Sequence, residues 1–265
     1  MALRLDKYLT ELGVGTRSEV KKLIKAKQIT VNGVFAVKPE LKIDEQIDEV
    51  CLRGEKLHYT AYEYYLFHKP AGCVSATEDA MHQTVMDYLT DTVRNDLFPV
   101  GRLDIDTEGL LLITNDGALA HELLSPAKHV EKTYYAKVRG MVTMEDVNLF
   151  GKGVDIGEDK LTKPAKLVIL NDDGRMDDDM LNGEIEAYED TVISEIRLTI
   201  TEGRFHQVKR MFEVVGKEVL YLKRLSMGSL TLPENLRPGE YRLLSEEELS
   251  KLKQCISEKK KGEKR

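Results

Sequence analysis

The apolar and polar positions near the N-terminus predict a helix, a second helix and a hairpin. An apolar stripe with helical spacing comes first and comprises Leu5, Tyr8, Leu9 and Leu12. This stripe ends at Gly13, and residues 16–19 then have the form of a capping box that opens the second helix. Asn32-Gly33 separates two β-prone runs, as in a two-residue hairpin, and residues 50–57 supply a further strand pair. These elements predict a small α/β domain over residues 1–58.

After a linker at residues 59–62, the pattern becomes that of a larger domain over residues 63–243. Compact or alternating apolar runs predict strands at residues 64–67, 110–113, 132–138 and 195–201, and Asn115-Asp116-Gly117 predicts a turn after the second of these. A helix that ends at Gly216 is predicted from Phe205, Val208, Phe212 and Val215. Many strands and few helices predict a mixed, mostly antiparallel sheet, so we expect an α+β fold. Residues 244–265 predict a C-terminal helix that passes into a disordered basic tail.

Composition limits the class of protein. The chain has 265 residues, of which 42% are hydrophobic, enough for one large core or two small ones. No apolar run approaches the roughly 20 residues of a membrane helix, and charges from Arg4 onward argue against a signal peptide. The three cysteines form no close pair, which argues against a disulfide framework. We therefore expect a soluble cytoplasmic protein that has no membrane partner.

The distribution of charge changes what the net charge suggests. A formal net charge of −7 argues against a nucleic-acid partner. Residues 171–190, however, hold nine acidic side chains and one Arg, a net of −8, so the rest of the chain sums to +1. Basic patches of +4, +4 and +5 lie at residues 1–33, 203–224 and 251–265. The sequence thus predicts a polyanionic partner, and the acidic insertion is expected to point away from it.

The densest polar cluster lies in the loop at residues 101–109, just before the apolar strand. Counted from Asp104, a calcium loop fails because its twelfth position is Asn115, where a bidentate Glu is needed. The six histidines lack paired spacing, so zinc is not indicated. Asp104, with Arg102 two residues away, is a candidate for covalent or acid–base chemistry. The alternative, that the acids of this loop only satisfy turn amides, stays open.

Four motifs occur in a fixed order: LFHKPAGCVSA, GRLDIDTEGLLLITNDG, EKTYYAKVRG and EGRFHQVKRMFEVVG. They resemble the motifs of the pseudouridine synthases. Residues 1–58 resemble the S4-type RNA-binding module that precedes the catalytic domain in members acting on ribosomal RNA, so the resemblance covers nearly the whole chain. The wording of the second and fourth motifs is nearest to the small-subunit (16S) type, which implies uridine 516 as the target.

The resemblance implies a cofactor-free and metal-free isomerase that converts a flipped-out uridine into pseudouridine. It makes Asp104 the nucleophile, Tyr134 the aromatic that stacks on the base, and Lys209 the basic partner of the aspartate. It also implies that Arg102 fills the space left by the flipped nucleotide and that Leu220 lines the pocket. The other residues expected to contact RNA are Arg4, Lys7, Arg17, Ser18, Lys21, Lys25, Arg204 and Arg210.

The implied partner is ribosomal RNA, most nearly 16S rRNA within a small-subunit assembly intermediate, bound by a monomer without an obligate protein partner. Three alternatives stay open: a large-subunit (23S) enzyme, a noncatalytic S4-type assembly factor, and a metal-dependent phosphoesterase. The presence of Asp104, Tyr134 and Lys209 argues against the assembly factor, because a protein that only binds RNA needs no charge pair in a cleft. Activity lost to a chelator would indicate the phosphoesterase.

Overall fold

The computed structural model of the chain describes residues 2–45, 47–171 and 192–262. It divides into two units: Met1–Glu63 with Leu89–Phe98, and Tyr64–Tyr88 with Pro99–Arg265. The orientation predicted for the acidic insertion concerns residues that lie outside the described ranges, apart from Asn171. None of the helices in those ranges combines the length and apolar character needed to span a bilayer.

The first unit confirms the predicted order of helix, helix and hairpin. Its elements are β1 (Ala2–Arg4), α1 (Leu5–Glu11), α2 (Arg17–Lys25), β2 (Ile29–Val31), β3 (Val34–Phe35), β4 (Lys42–Asp44), β5 (Val50–Leu52) and β6 (Glu55–Lys56). The capping box of Thr16 and Glu19 is present at the start of α2. Asn32 and Gly33 have positive φ values of 50° and 76°, as the two-residue turn between β2 and β3 requires. The core of the unit contains Leu5, Leu9, Val20, Ile24 and Ile29.

Residues 89–98 belong to this first unit, although the sequence placed them in the second domain. The physical reason is Arg94, whose side chain is 2% exposed. Its guanidinium donates to Glu11 at 3.0 Å and to both carboxylate oxygens of Asp96 at 2.9 and 2.7 Å, and it lies 5.2 Å from the ring centroid of Tyr59. A buried cation with these partners fixes the segment to the N-terminal residues of the chain.

The second unit contains a central sheet with helices on it. Its elements are β7 (Tyr64–Lys69), a 3₁₀ turn (Val85–Tyr88), β8 (Phe98–Pro99, at the boundary of the units), β9 (Glu108–Thr114), α3 (Gly117–Leu124), a second 3₁₀ turn (Pro126–Lys128), β10 (Lys132–Arg139), α4 (Met144–Lys152), β11 (Lys166–Asn171), β12 (Ile193–Ile200), α5 (Gln207–Val214), β13 (Glu218–Met227), β14 (Leu230–Thr231), β15 (Tyr241–Leu243) and α6 (Glu246–Gly262). The sheet order is β11-β12-β10-β13-β9-β7-β15, with β14 beside β13.

The mixed and mostly antiparallel sheet confirms the predicted fold class. β9 and β13 form the parallel pair, in which Arg224 is opposite Gly109. One face of the sheet carries the side chains of Tyr134, Ala136 and Leu198, and this face packs against α4 and α5. The rings of Phe150 on α4 and Phe212 on α5 meet edge to face at 5.0 Å. The sheet and α5 therefore form a rigid base for the loops at its edge.

Three local predictions were wrong. Asn115-Asp116-Gly117, read as a turn, starts α3, because the carboxylate of Asp116 accepts a hydrogen bond from the Leu119 amide at 3.0 Å and caps that helix. Phe205 is not on a buried helix face: α5 begins at Gln207, and Phe205 is 75% exposed. The basic tail predicted to be disordered is helical as far as Gly262.

Candidate active site

The loop at residues 101–109 is held in place by the segment that follows β7. The hydroxyl of Ser75 donates to the Leu103 carbonyl at 3.0 Å and accepts from the Leu103 amide at 3.0 Å. The Gly72 amide donates to the Ile105 carbonyl at 2.7 Å. The residues before and after Asp104 are thus both anchored, so the backbone that carries this carboxylate is fixed.

Lys69, at the end of β7, adds a third anchor. It is 0% exposed, and its ammonium donates to the carbonyls of Pro70 at 2.9 Å, Ile105 at 3.2 Å and Thr107 at 2.9 Å. Burial lowers the pKa of Lys69 from its ordinary value, because desolvation disfavours the charged form. The motif that contains Lys69 and Ser75 therefore supports the loop.

Gly109 joins the loop to the sheet and is required there for two reasons. Its φ is +110°, a conformation that residues with a side chain rarely adopt. A Cβ at this position would also lie 2.3 Å from the carbonyl oxygen of Arg224 and 2.5 Å from its nitrogen. Close approach of β9 to β13 thus depends on this glycine, and it brings the loop beside the middle of β13.

Asp104 meets two side chains from the start of α5. Lys209 Nζ lies 3.7 Å from Asp104 Oδ2, and His206 Nε2 lies 3.6 Å from Asp104 Oδ1. Lys209 is closer to Asp106, to which it donates at 2.7 Å to both carboxylate oxygens. The structure therefore brings Lys209 close to the predicted aspartate, although the ammonium of Lys209 is shared between Asp104 and Asp106. His206, which has a left-handed φ of 49°, was missed as a neighbour of Asp104 because no local pattern places it there.

These residues lie in a cleft of about 820 Å³ in the second unit. Tyr134, on β10, lines the cleft and is 7% exposed. Tyr135 faces the other side of the sheet, where its ring lies 6.0 Å from that of Tyr221. The structure therefore places Tyr134, and not Tyr135, in the lining of the cleft, and the role of Tyr134 in stacking on a base stays a prediction.

Leu220 does not line the cleft, whereas Leu222, two residues further along β13, does. The pairing of β10 with β13 passes from Lys137 opposite Tyr221 to Val138 opposite Val219, so Leu220 is the extra residue of a β-bulge. A bulge changes which side chains face a given side of the sheet. The resemblance placed Leu220 in the pocket by its position in the motif, and that position does not show where a bulge occurs.

The predicted RNA-binding arginines of the second unit differ in their contacts. Arg102 lines the cleft with an exposed side chain. Arg204 donates to the carbonyls of Lys160 at 2.6 Å and Leu161 at 2.7 Å. Arg210 is outside the cleft lining, and its guanidinium donates to Glu158 at 2.6 Å. The hydrogen bond from Arg210 lowers the pKa of Glu158 from its ordinary value.

Arg204 and Arg210 thus hold the segment around Glu158 in place, and their contacts do not support the RNA-binding role predicted for them. Arg102 keeps that role as a prediction, because its exposed side chain at the cleft is available to a ligand. Phe205 also lines the cleft, and its ring stacks on the ring of His206 with 3.8 Å between centroids. An exposed aromatic in this place was not predicted, because the helical spacing of the apolar residues assigned Phe205 to the core.

The first unit presents the predicted basic surface on α2. Exposed side chains on this helix include those of Arg17, Ser18, Lys21 and Lys25. Arg4 and Lys7, by contrast, face acidic partners. Arg4 binds Asp6 at 2.7 Å, and the Lys7 ammonium lies 3.6 Å from Glu11. The side chains of α2 are therefore the better candidates for phosphate contacts.

Within the described ranges, no cluster of three or more His, Cys, Asp or Glu side chains has the geometry to hold a metal ion. Asp104 and Asp106 of the loop at residues 101–109 instead face Lys209 and His206. Chemically, the cleft offers a fixed carboxylate beside a cation, a buried tyrosine and an apolar wall. This combination suits covalent or acid–base chemistry by a carboxylate in a partly apolar site.

Comparisons with known proteins show two family matches along the chain. The sequence profile of the RNA pseudouridylate synthase family matches residues 63–214, and that of the S4 domain matches residues 3–46. A crystal structure of a pseudouridylate synthase superposes with a TM-score of 0.62 at 35% identity, covering 94% of this chain and 99% of that one.

Several curated proteins are similar over most of the chain. An uncharacterized RNA pseudouridine synthase of Bacillus subtilis is 47% identical over 248 residues, which is 93% of this chain and 97% of that protein. Ribosomal small subunit pseudouridine synthase A of Vibrio cholerae is 36% identical over 257 residues, 94% of this chain and 99% of that protein. The Escherichia coli protein of the same name is 38% identical over 251 residues, again 94% and 99%.

Proposed function

The chain belongs to the RNA pseudouridylate synthase family, and from this premise we propose that it isomerises one specific uridine of small-subunit ribosomal RNA to pseudouridine. The observation that carries the proposal is the meeting of Asp104, Lys209 and Tyr134 in one cleft of the second unit. The names of the Vibrio cholerae and Escherichia coli relatives support the small-subunit target. Uridine 516 is the target that the motif wording suggests.

In the proposed reaction the target nucleotide first leaves its stack, because a paired or stacked uridine cannot reach a carboxylate at the bottom of a cleft. Arg102, exposed at the cleft, takes the vacated space. Tyr134 stacks on the uracil ring and Leu222 lines the wall beside it. The remaining step is the chemistry at Asp104.

Asp104 then attacks either C6 of the ring or C1′ of the sugar, the bond between C1′ and N1 breaks, and C1′ is joined again through C5. The proton on C5 is released in the course of this exchange. Lys209 holds the carboxylate in place and balances its charge until the substrate arrives. No cofactor enters this scheme, because the substrate supplies every atom and electron pair of the product.

In this proposal the exposed basic side chains of α2 bind the RNA. They contact phosphates and orient the enzyme, while the cleft reads the flipped nucleotide. The preferred substrate is proposed to be an assembly intermediate of the small subunit, acted on by a monomeric and cytoplasmic enzyme. Conversion of naked rRNA and of a partly assembled particle, measured side by side, tests that preference.

The test of the function is tritium release from C5-tritiated uridine in small-subunit and large-subunit rRNA, with a chelator present. We expect release with the wild-type protein and small-subunit rRNA, and none with Asp104→Asn, which keeps the volume and removes the charge. Asp155→Asn is the matched control, because Asp155 is exposed in the same unit and caps its own turn by accepting from Gly157 at 2.8 Å. This control is expected to react like the wild type.

Other outcomes identify the alternatives. Release only from large-subunit rRNA would reassign the target, and activity that the chelator abolishes would contradict the cofactor-free reaction. RNA binding without release from any rRNA or assembly intermediate would support the noncatalytic assembly factor. Release by Asp104→Asn at the wild-type rate would remove Asp104 from the chemistry.

A further inference from the structure

Arg224 is a buried cation in the wall of the cleft whose guanidinium is only partly satisfied. The residue lines the cleft and is 2% exposed. Its Nε donates to the Leu110 carbonyl at 2.7 Å. Its Nη2 is buried and has no hydrogen-bond partner among the described residues. Within the same ranges, no carboxylate forms an ion pair with it.

An unsatisfied buried donor destabilises the folded protein, and more so when the group is charged. Other buried cations of the second unit have partners: Lys69 donates to three carbonyls, and Lys137 lies 4.0 Å from Glu195. The conformation of Arg224 is also fixed, because Gly109 allows β9 and β13 to approach and so brings the Leu110 carbonyl to Nε. A cation held in this way, beside a cleft, is suited to a ligand that completes its hydrogen bonds.

The surroundings of Arg224 favour a nucleobase over a phosphate. Tyr134 is its register partner on β10, and Leu222 precedes it by two residues on the same strand. All three line the cleft and are at most 7% exposed. They supply a flat ring, an apolar side chain and a hydrogen-bond donor, which match the faces and carbonyl edge of a uracil. A phosphate is charged and strongly hydrated, so burying it beside Arg224 would cost its hydration. An exposed cation such as Arg102 can bind a phosphate that stays hydrated.

We propose that Arg224 donates from Nη2 to a carbonyl oxygen of the target uracil and stabilises the negative charge that the ring acquires during the reaction. This inference rests on the proposed function and adds a catalytic residue to it. If Asp104 adds to C6, the π pair of the C5–C6 bond moves through C4 onto O4. If Asp104 attacks C1′, the pair of the C1′–N1 bond stays on N1 and spreads to O2. Both routes place charge on a carbonyl oxygen, where a preorganised buried cation acts most strongly.

The charge disappears again when C5 bonds to C1′ and the C5 proton leaves to solvent, so the guanidinium is unchanged at the end of the cycle. Its contribution is therefore confined to the transition states and the charged intermediate. Loss of Arg224 should lower the rate constant of the chemical step and leave RNA affinity nearly unchanged. If Arg224 only stabilised the fold, its loss would lower the fraction of folded protein and leave the rate constant per folded molecule unchanged.

The experiment measures single-turnover rate constants and RNA dissociation constants for the wild type, Arg224→Lys and Arg224→Gln. We expect both variants to bind RNA within about threefold of the wild type, and Arg224→Gln to react about 10²- to 10³-fold more slowly. Arg224→Lys is expected to retain part of the rate, because it keeps the charge but loses the fork geometry. Lys223→Met is the matched control on the neighbouring position of β13, outside the cleft lining, and is expected to keep the wild-type rate.

A substrate-side test does not depend on how well a variant folds. The target uridine is replaced by 2-thiouridine or by 4-thiouridine, since sulfur is a weaker hydrogen-bond acceptor than oxygen. If Arg224 binds one of the two oxygens, replacing that oxygen by sulfur should lower the rate less in the Arg224 variant than in the wild type. Replacing the other oxygen should lower the rate by the same factor in both proteins. The same fold loss on uridine and on both thio substrates would overturn the inference. Failure of the wild type to convert uridine would instead contradict the proposed function itself.

Discussion

Replacing Lys69 by Met tests whether the loop that carries Asp104 depends on a buried ammonium. The side chain is 0% exposed and donates to the carbonyls of Pro70, Ile105 and Thr107. Methionine has a similar length and removes all three donors. Two of these carbonyls belong to Ile105 and Thr107, which lie on either side of Asp106. Ile105 also directly follows Asp104 in the loop.

The magnitude follows from those bonds and from burial. A buried carbonyl left without a donor costs about 1–3 kcal/mol. The bond to Thr107 is fully buried, whereas those to Pro70 and Ile105 are partly buried, so water can replace part of their loss. Removing the ammonium also regains its desolvation cost, which is the cause of the lowered pKa of Lys69. We therefore expect the free energy of unfolding to fall by about 2–4 kcal/mol.

The effect on activity should exceed the effect on folding. A shift of about 1 Å in a catalytic group costs about 10²-fold in rate, so Lys69→Met should lower the single-turnover rate constant of the folded protein by about that factor. Urea unfolding gives the stability, and tritium release at a urea-free condition, where both proteins are folded by circular dichroism, gives the rate.

Lys137→Met is the matched control for this prediction. Lys137 is also buried in the second unit, at 6% exposure, but it is outside the cleft lining and lies 4.0 Å from Glu195. We expect this control to lose stability and keep its rate per folded molecule. An unchanged rate in Lys69→Met, or an equal loss in both variants, would refute the role of Lys69 in positioning the loop.

Three further predictions concern the RNA-binding surfaces and the C-terminal helix. Removing the charges of Lys21 and Lys25, both exposed on α2, should weaken rRNA binding in a filter-binding assay. The slope of log K against log salt concentration should become less steep by about 0.7–0.9 for each phosphate that is no longer neutralised. Phe205→Ala should weaken RNA binding by about 1–3 kcal/mol while Phe205→Tyr retains it, because the exposed ring at the cleft is available for stacking on a base. Hydrogen bonding to Arg242 lowers the pKa of Glu248 to about 2 from 4.5, so its stabilisation, about 1 kcal/mol after solvent screening, is complete above pH 4.5 and is lost as the pH falls towards 2. The difference in Tm between the wild type and Glu248→Gln should therefore shrink over that interval, and a difference that is constant with pH would contradict it.

Much of the fold follows from local signals in the sequence. The capping box at Thr16 and the turn at Asn32-Gly33 each specify a conformation through a few adjacent residues, and the structure contains both. Asp116 shows the limit of such signals, because the same residue type favours a turn and a helix N-cap. The place of residues 89–98 in the first unit depends on Arg94 meeting Glu11, a contact between positions far apart in the chain. No local pattern contains that information.

The charged residues of the candidate site also show which features local sequence predicts and which depend on long-range contacts. The sequence counts the cations of residues 203–224 alike, yet the structure places them in three different states. Lys209 is shared between the half-buried Asp104 and the exposed Asp106, and contact with solvent limits such ion pairs to about 1 kcal/mol. Arg204 is satisfied by backbone carbonyls and serves the fold. Arg224 is buried, and its Nη2 has no hydrogen-bond partner within the described part of the chain, so its charge is little screened by solvent. Because these differences arise from burial and from partners elsewhere in the fold, charge counting finds the basic region but not which cation lies unpaired, among the described residues, in the wall of the cleft.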